Sequence, residues 1–141
     1  MMKWYKIISL IGFIFILNLA WELFNSPFYV YSPDMNLSQH ILMSSLAGSG
    51  LIISFLLAVS LKHNSIEWID KPSITDYLII IFLGLLTSLK IEMSALSAGS
   101  WVYTPLMPAI WGIGLIPLIQ LFTIAILSLI ITRKLNPIAL Q

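Results

Sequence analysis

Apolar residues run almost without interruption through four stretches of this sequence, at about 6–24, 40–61, 74–95 and 108–132. Each is close to the roughly 20 residues that a helix rising 1.5 Å per residue needs to cross a hydrocarbon core of about 30 Å. A bilayer interior offers backbone N–H and C=O groups no water, so a segment crossing it satisfies them within itself as a helix. The pattern predicts an all-α fold, a polytopic membrane protein built as a four-helix transmembrane bundle and forming a single domain over residues 1–141. The first stretch follows Met1, Met2, Lys3 and Lys6 as the core of a signal peptide would. Its apolar run is too long for one, however, and it continues into Trp21-Glu22-Leu23-Phe24 without a small-residue cleavage site, so it reads as a retained helix.

Polar residues inside such stretches are costly, and here they are not scattered. Asn18, Glu22 and Asn25 recur at i, i+4 and i+7, which places them on one face near the end of the first helix. His40 opens the second stretch, and Ser44 and Gly48 continue its face. The third carries Gly84, Ser88 and Glu92 at i, i+4 and i+8, with Lys90 on the opposite side. Gln120 lies midway along the fourth, below Gly112 and Gly114. The spacing therefore brings Glu22, His40 and Glu92 to a common depth on three helices, with their faces turned inward.

Composition excludes several classes of protein. The chain is 59% hydrophobic and 9% charged, against about 45–50% and about 25% in soluble domains. A net charge of +1 suggests no nucleic-acid partner, and the lack of cysteine removes disulfides, thiolate metal sites and Cys nucleophiles. The charges also orient the chain. Lys3, Lys6, Lys62, Lys71, Arg133 and Lys134 fall on one side and only Lys90 in the other half. By the positive-inside rule both termini are cytoplasmic, in a bacterial-type inner membrane, and the 25–39 and 96–107 connections lie outside. The inner 62–73 connection reads as a solvated turn, with Ser73 capping the third helix next to Asp76. The outer connections, Ser26 to Pro33 and Trp101 to Pro108, pair aromatics with prolines and are expected to be ordered caps. They serve as an interfacial aromatic belt, as a lid, or as both.

Two acids close together at low dielectric favour keeping one proton between them, which suits a general acid, and a neighbouring His relays protons or acts as base. Glu22, Glu92 and His40 are thus the candidate catalytic residues. Two carboxylates and an imidazole also hold divalent ions, but no HExxH, second outer His or Cys accompanies them, so neither metal nor cofactor is expected. Ala47-Gly48-Ser49-Gly50 reads as a small-residue packing stripe within an apolar helix, not a phosphate loop.

Asn18-Leu19-Ala20-Trp21-Glu22 resembles the Asn-x-x-Trp-Glu signature of the integral-membrane terpene cyclases. Glu92, Trp101-Val102-Tyr103 and Gly114 to Phe122 are similar to the transmembrane lycopene cyclase pattern of an acid, a Trp-x-aromatic and a later proline followed by paired acids. The resemblance implies membrane-embedded acids that protonate an isoprenoid. Glu22 and Glu92 would be those acids, and Trp21, Trp101 and Tyr103 an aromatic wall able to stabilise a cation. Asn18 and Gln120 complete the expected binding set. The family's paired acids are Ile119 and Gln120 here, and the four stretches are fewer than the terpene cyclases have. Trp21-Glu22, Ser26-Pro27-Phe28-Tyr29 and Trp101 to Pro108 are also similar to a pattern shared by small bacterial membrane proteins. The expected function is binding of, or acid-base action on, an isoprenoid or other membrane lipid. The alternatives are a small transporter or channel, or a structural accessory subunit of a membrane complex, and association of the chain with further copies of itself stays open.

Overall fold

The computed structural model describes residues 4–135; Lys3, counted above among the basic flank, lies outside the described residues. Four helices, α1 (Trp4–Asn25), α2 (Leu37–His63), α3 (Ile74–Ser97) and α4 (Leu115–Leu135), are each long and apolar enough to cross a membrane. α1 packs against α2 and α4, and α3 packs against the same two, so α1 and α3 stand at opposite corners of the bundle. The surface is inverted relative to a soluble bundle. Ile8, Phe82 and Leu86 are exposed while Asn18, Ser45, Asp76, Ser88 and Gln120 are buried, as expected where the surroundings are hydrocarbon rather than water.

Helix packing turns on two glycines. A Cβ placed at Gly84 would lie 2.8 Å from Phe122 Cβ and 2.9 Å from its backbone N, so the α3–α4 crossing depends on the missing side chain. A Cβ at Gly48 would lie 2.8 Å from Asn18 Oδ1, which sets how closely α2 approaches α1. Between these contacts and the opposite end of the bundle, Ile14, Ile52, Ile80 and Ile124, one from each helix, are all but fully buried within one apolar cluster.

At one end, here termed the capped end, the two long connections meet. Strand β1 (Tyr29–Tyr31) pairs antiparallel with β2 (Trp101–Tyr103), with Tyr29 opposite Tyr103 and Tyr31 opposite Trp101. The apolar stretch from 108 does not begin a helix. Residues 109–114 form a hairpin of β3 (Ala109–Ile110) and β4 (Ile113–Gly114), turned by Trp111 and Gly112, both at positive φ, and α4 starts only at Leu115. The Gly in this turn takes its left-handed conformation without penalty, and Pro108 precedes it; hydropathy alone reads neither constraint.

At the opposite, charged end, Ser73 caps α3 in a capping box with Asp76, as the sequence predicts. The 62–73 connection is more than a solvated turn. Trp68 and Ile69 are buried in the core cluster, and the Trp68 N–H donates to Ser60 Oγ at 2.8 Å, which lets the indole leave water. Asp76, fully buried, accepts from Lys62 Nζ at 2.7 Å and lies 2.8 Å from His63 Nε2; Lys6 pairs with Asp70 at 2.8 Å.

The Gly84 contact carries a prediction. Gly84→Ala lowers stability by about 1–3 kcal/mol through overpacking against Phe122, whereas Gly50→Ala, with no neighbour near its added Cβ, leaves stability unchanged or slightly raised. Thermal unfolding of the two variants in one detergent checks this, and equal midpoints would show that the crossing relaxes freely.

Candidate functional site

A polar line links the helices near the middle of the bundle. Asn18 is fully buried; its amide donates to Ile14 O at 3.0 Å and lies 3.4 Å from Ser49 Oγ. Ser49 in turn donates to Ser45 O at 2.7 Å. The Gln120 amide, reaching from α4, donates to Glu22 Oε1 at 2.7 Å and toward Asn18 Oδ1 at 3.4 Å. The i, i+4 stripe of α1 thus meets α4 through one amide, whose two N–H groups suit two acceptors.

On the far corner Glu92 is buried on α3. Tyr103 O–H donates to its Oε2 at 2.5 Å, and Tyr29 O–H lies 3.5 Å from Oε1. Tyr103 also accepts from the Gly114 N–H at 3.0 Å, so this phenol ties β2, α3 and the start of α4 together. The buried Trp101 indole N–H faces the same carboxyl without closing a hydrogen bond. His40, at the start of α2, stands with its ring 5.1 Å from that of Tyr31 and 6.0 Å from that of Trp101, and its Nε2 is 3.5 Å from Ser44 Oγ.

These groups line a partly open cavity of about 160 Å³. Glu22, His40, Glu92, Trp101 and Gln120 line it, so five of the eight residues selected from the sequence reach one space. The three polar candidates are not bonded to one another; each has its own partner, and they face each other across the cavity. Asn18 lies beneath the lining and Tyr103 behind Glu92, both joined to it by hydrogen bonds. Trp21 does not line the cavity and packs instead against the apolar core. Asn25 and Ser88, on the stripes already noted, line the cavity as well, each with a buried oxygen that has no partner among the described residues. Tyr29 and Tyr31 were missed as site residues. Their cue was alternation across a short strand, which places both rings on one face, but three residues give too short a period to read.

The phenols of the cap are held neutral. Burial, and then the nearby carboxyls, push the Tyr31 phenol up to about 12, and burial followed by Glu92 raises Tyr29 and Tyr103 as well. A neutral phenol donates, which is the role Tyr103 and Tyr29 play toward Glu92. Among the described residues no group of three or more His, Asp or Glu is arranged to hold a metal ion.

Two outcomes follow. Gln120→Leu leaves the Glu22 and Asn18 oxygens without their donor and costs about 1–3 kcal/mol in thermal unfolding; a loss no larger than that of a surface change would show that the amide is dispensable. For Tyr31 the folded state holds its proton longer than the unfolded chain does. Stability therefore falls as pH rises from the ordinary phenol value of 10 toward about 12. Phenolate absorbance of wild type minus Tyr31→Phe should show a midpoint near pH 12, and a midpoint at the ordinary value would contradict the buried placement.

No protein-family model, curated protein or solved structure matches this chain, so its function is argued from the chemistry of the site.

Proposed function

We propose that this is a multi-pass protein of a bacterial-type inner membrane, its capped end outside and both termini cytoplasmic. In this reading its cavity takes the polar end of a membrane lipid or isoprenoid and serves it by proton transfer. One observation carries the proposal: Glu22 and Glu92, from helices at opposite corners of the bundle, line a single cavity together with His40. Placing two carboxyls and an imidazole around one space within hydrocarbon is expensive, and the expense has no structural return at a lipid-facing surface. The two acids differ in their surroundings. Glu92 accepts from phenols on both of its oxygens, whereas Glu22 is bonded through one. That asymmetry suits a pair in which Glu22 exchanges the proton and Glu92 holds charge opposite it. Tyr29, Tyr31 and Trp101 line the same space with aromatic rings.

The resemblance to the membrane terpene cyclases nominates an isoprenoid. Its two departures have separate consequences here. Ile119 is exposed on the outside of α4 and outside the cavity, while Gln120 lies within it and gives Glu22 an amide donor in place of a second acid. Transport has less support. Below the polar line the four buried isoleucines, one from each helix, pack in one apolar cluster, which interrupts the polar side chains among the described residues.

The test is Glu22→Gln, which keeps the shape of the side chain and its contact with Gln120 but removes the titratable group. Expressed at wild-type level in a bacterial membrane, the variant should alter the extractable lipid or terpenoid profile seen with the wild-type chain, and Glu92→Gln should do the same. Profiles identical to wild type for both variants would overturn the acid-base reading.

A further inference from the structure

The acids of the cavity share their lining with one basic side chain among the described residues, His40. Lys6 and Lys62 pair with Asp70 and Asp76 at the charged end, Lys90 is exposed, and among the described residues no Lys or Arg lines the cavity. Buried carboxylates are stable when matched by a cation, and among the described residues the cavity holds no permanently charged one.

The hydrogen-bond inventory leans the same way. Glu22 uses Oε1 for Gln120, and no hydrogen bond to Oε2 is made by the described residues. Asn25, 3% exposed, lines the cavity with a buried Oδ1 to which none of the described residues donates, and Ser88, 4% exposed, does so with an Oγ unpartnered among them. Apart from the Trp101 N–H, which faces Glu92, the unpartnered groups lining the cavity among the described residues are acceptors, with one hydroxyl able to serve either way. An alkylammonium group has three N–H donors and no acceptor, so it satisfies a carboxylate and two neutral oxygens at once. The rings of Tyr29, Tyr31 and Trp101 line the same space, and aromatic ring faces attract organic cations. The volume of about 160 Å³ is comparable to the roughly 150 Å³ that holds a benzene molecule in an engineered cavity, so a small alkylamine or the head of an aminolipid fits.

We infer that the ligand of this cavity presents a protonated primary amine to Glu22, Asn25 and Ser88, with Glu92 and the aromatic rings completing its surroundings. This rests on the cavity being a ligand site, as argued above, and narrows the polar end of the ligand; the apolar part, isoprenoid or acyl, is left unspecified. A quaternary ammonium group would meet the rings but offer no N–H to the Asn25 and Ser88 oxygens. A metal ion would find Glu92 already engaged by two phenols and no third His, Asp or Glu ligand arranged with it among the described residues.

The full chain, purified in a neutral detergent, is titrated with propylammonium chloride while tryptophan fluorescence and the thermal midpoint are followed. Tetramethylammonium chloride, n-propanol and magnesium chloride serve as comparators. The expected result is a saturable response and a raised midpoint with propylammonium, each comparator acting about tenfold more weakly or not at all. Glu22→Gln and Asn25→Leu should weaken propylammonium binding about tenfold or more. If a variant does not fold, the ranking of the four probes on the wild-type chain decides the matter alone. Phosphatidylethanolamine nanodiscs that compete with propylammonium, where phosphatidylglycerol nanodiscs do not, assign the amine to a lipid head; competition from neither assigns it to a free amine.

An equal response to tetramethylammonium or magnesium, or none to propylammonium, overturns the inference. The two proposals fail separately. A changed lipid profile in Glu22→Gln without amine binding removes the amine and leaves the lipid chemistry standing. Amine binding with an unchanged profile removes the lipid chemistry and leaves the amine site.

Discussion

In hydrocarbon a polar side chain has no water to turn to, and the arrangement of this bundle follows from how Gln120 resolves that constraint. Its amide donates to Glu22 and reaches Asn18, joining α4 to α1 at mid-bundle. Asn18 is in turn placed by the gap at Gly48 and touches Ser49 on α2. Three helices are thereby fixed around one buried amide. Glu22 lines the cavity with one of its oxygens held by that amide and the other without a hydrogen bond among the described residues. Removing the donor would leave a buried carboxyl to find another partner or move, and the cavity's shape would move with it.

The second support is the phenol of Tyr103. It donates to Glu92 and accepts from the backbone N–H of Gly114, so a side chain from a loop strand fixes a carboxyl on α3 and the entrance to α4 together. The two acids are held by different means, one by an amide between α1 and α4 and one by phenols of the cap. This division lets one cavity combine a firmly held carboxyl with a more open one.

How far the chain could be read in advance depends on the range of each signal. The four spans were legible because a run of about twenty apolar residues is a local property with a direct physical meaning. The stripes of Asn18, Glu22 and Asn25 and of Ser88 and Glu92 were legible because helical periodicity is local too, and they lead to the same cavity that the structure contains. Trp21 shares the neighbourhood of Glu22 in sequence but points to the core, since adjacent residues on a helix differ by about 100° in direction. The late start of α4 was hidden because the hairpin before it is as apolar as a helix, and only Trp111 and Gly112 at positive φ reveal the turn. The roles of Tyr29 and Tyr31 depend on pairing with a strand far along the chain, which no local pattern encodes. The burial of Trp68 likewise depends on its place in the core cluster and on its indole bond to Ser60, neither of which a helical or strand period encodes.

The pairing of β1 with β2 also bears on the order of events. β1 follows α1 and β2 follows α3, so the strand pair cannot form until three helices have been made and brought side by side. The Gly114 contact that steadies Tyr103 requires the chain leading into the fourth as well. Contacts between such distant residues wait on the closure of everything between them. The cavity consequently cannot close before the chain reaches α4, and a chain that has made only α1 and α2 carries Glu22 with neither Glu92 nor the strand pair beside it.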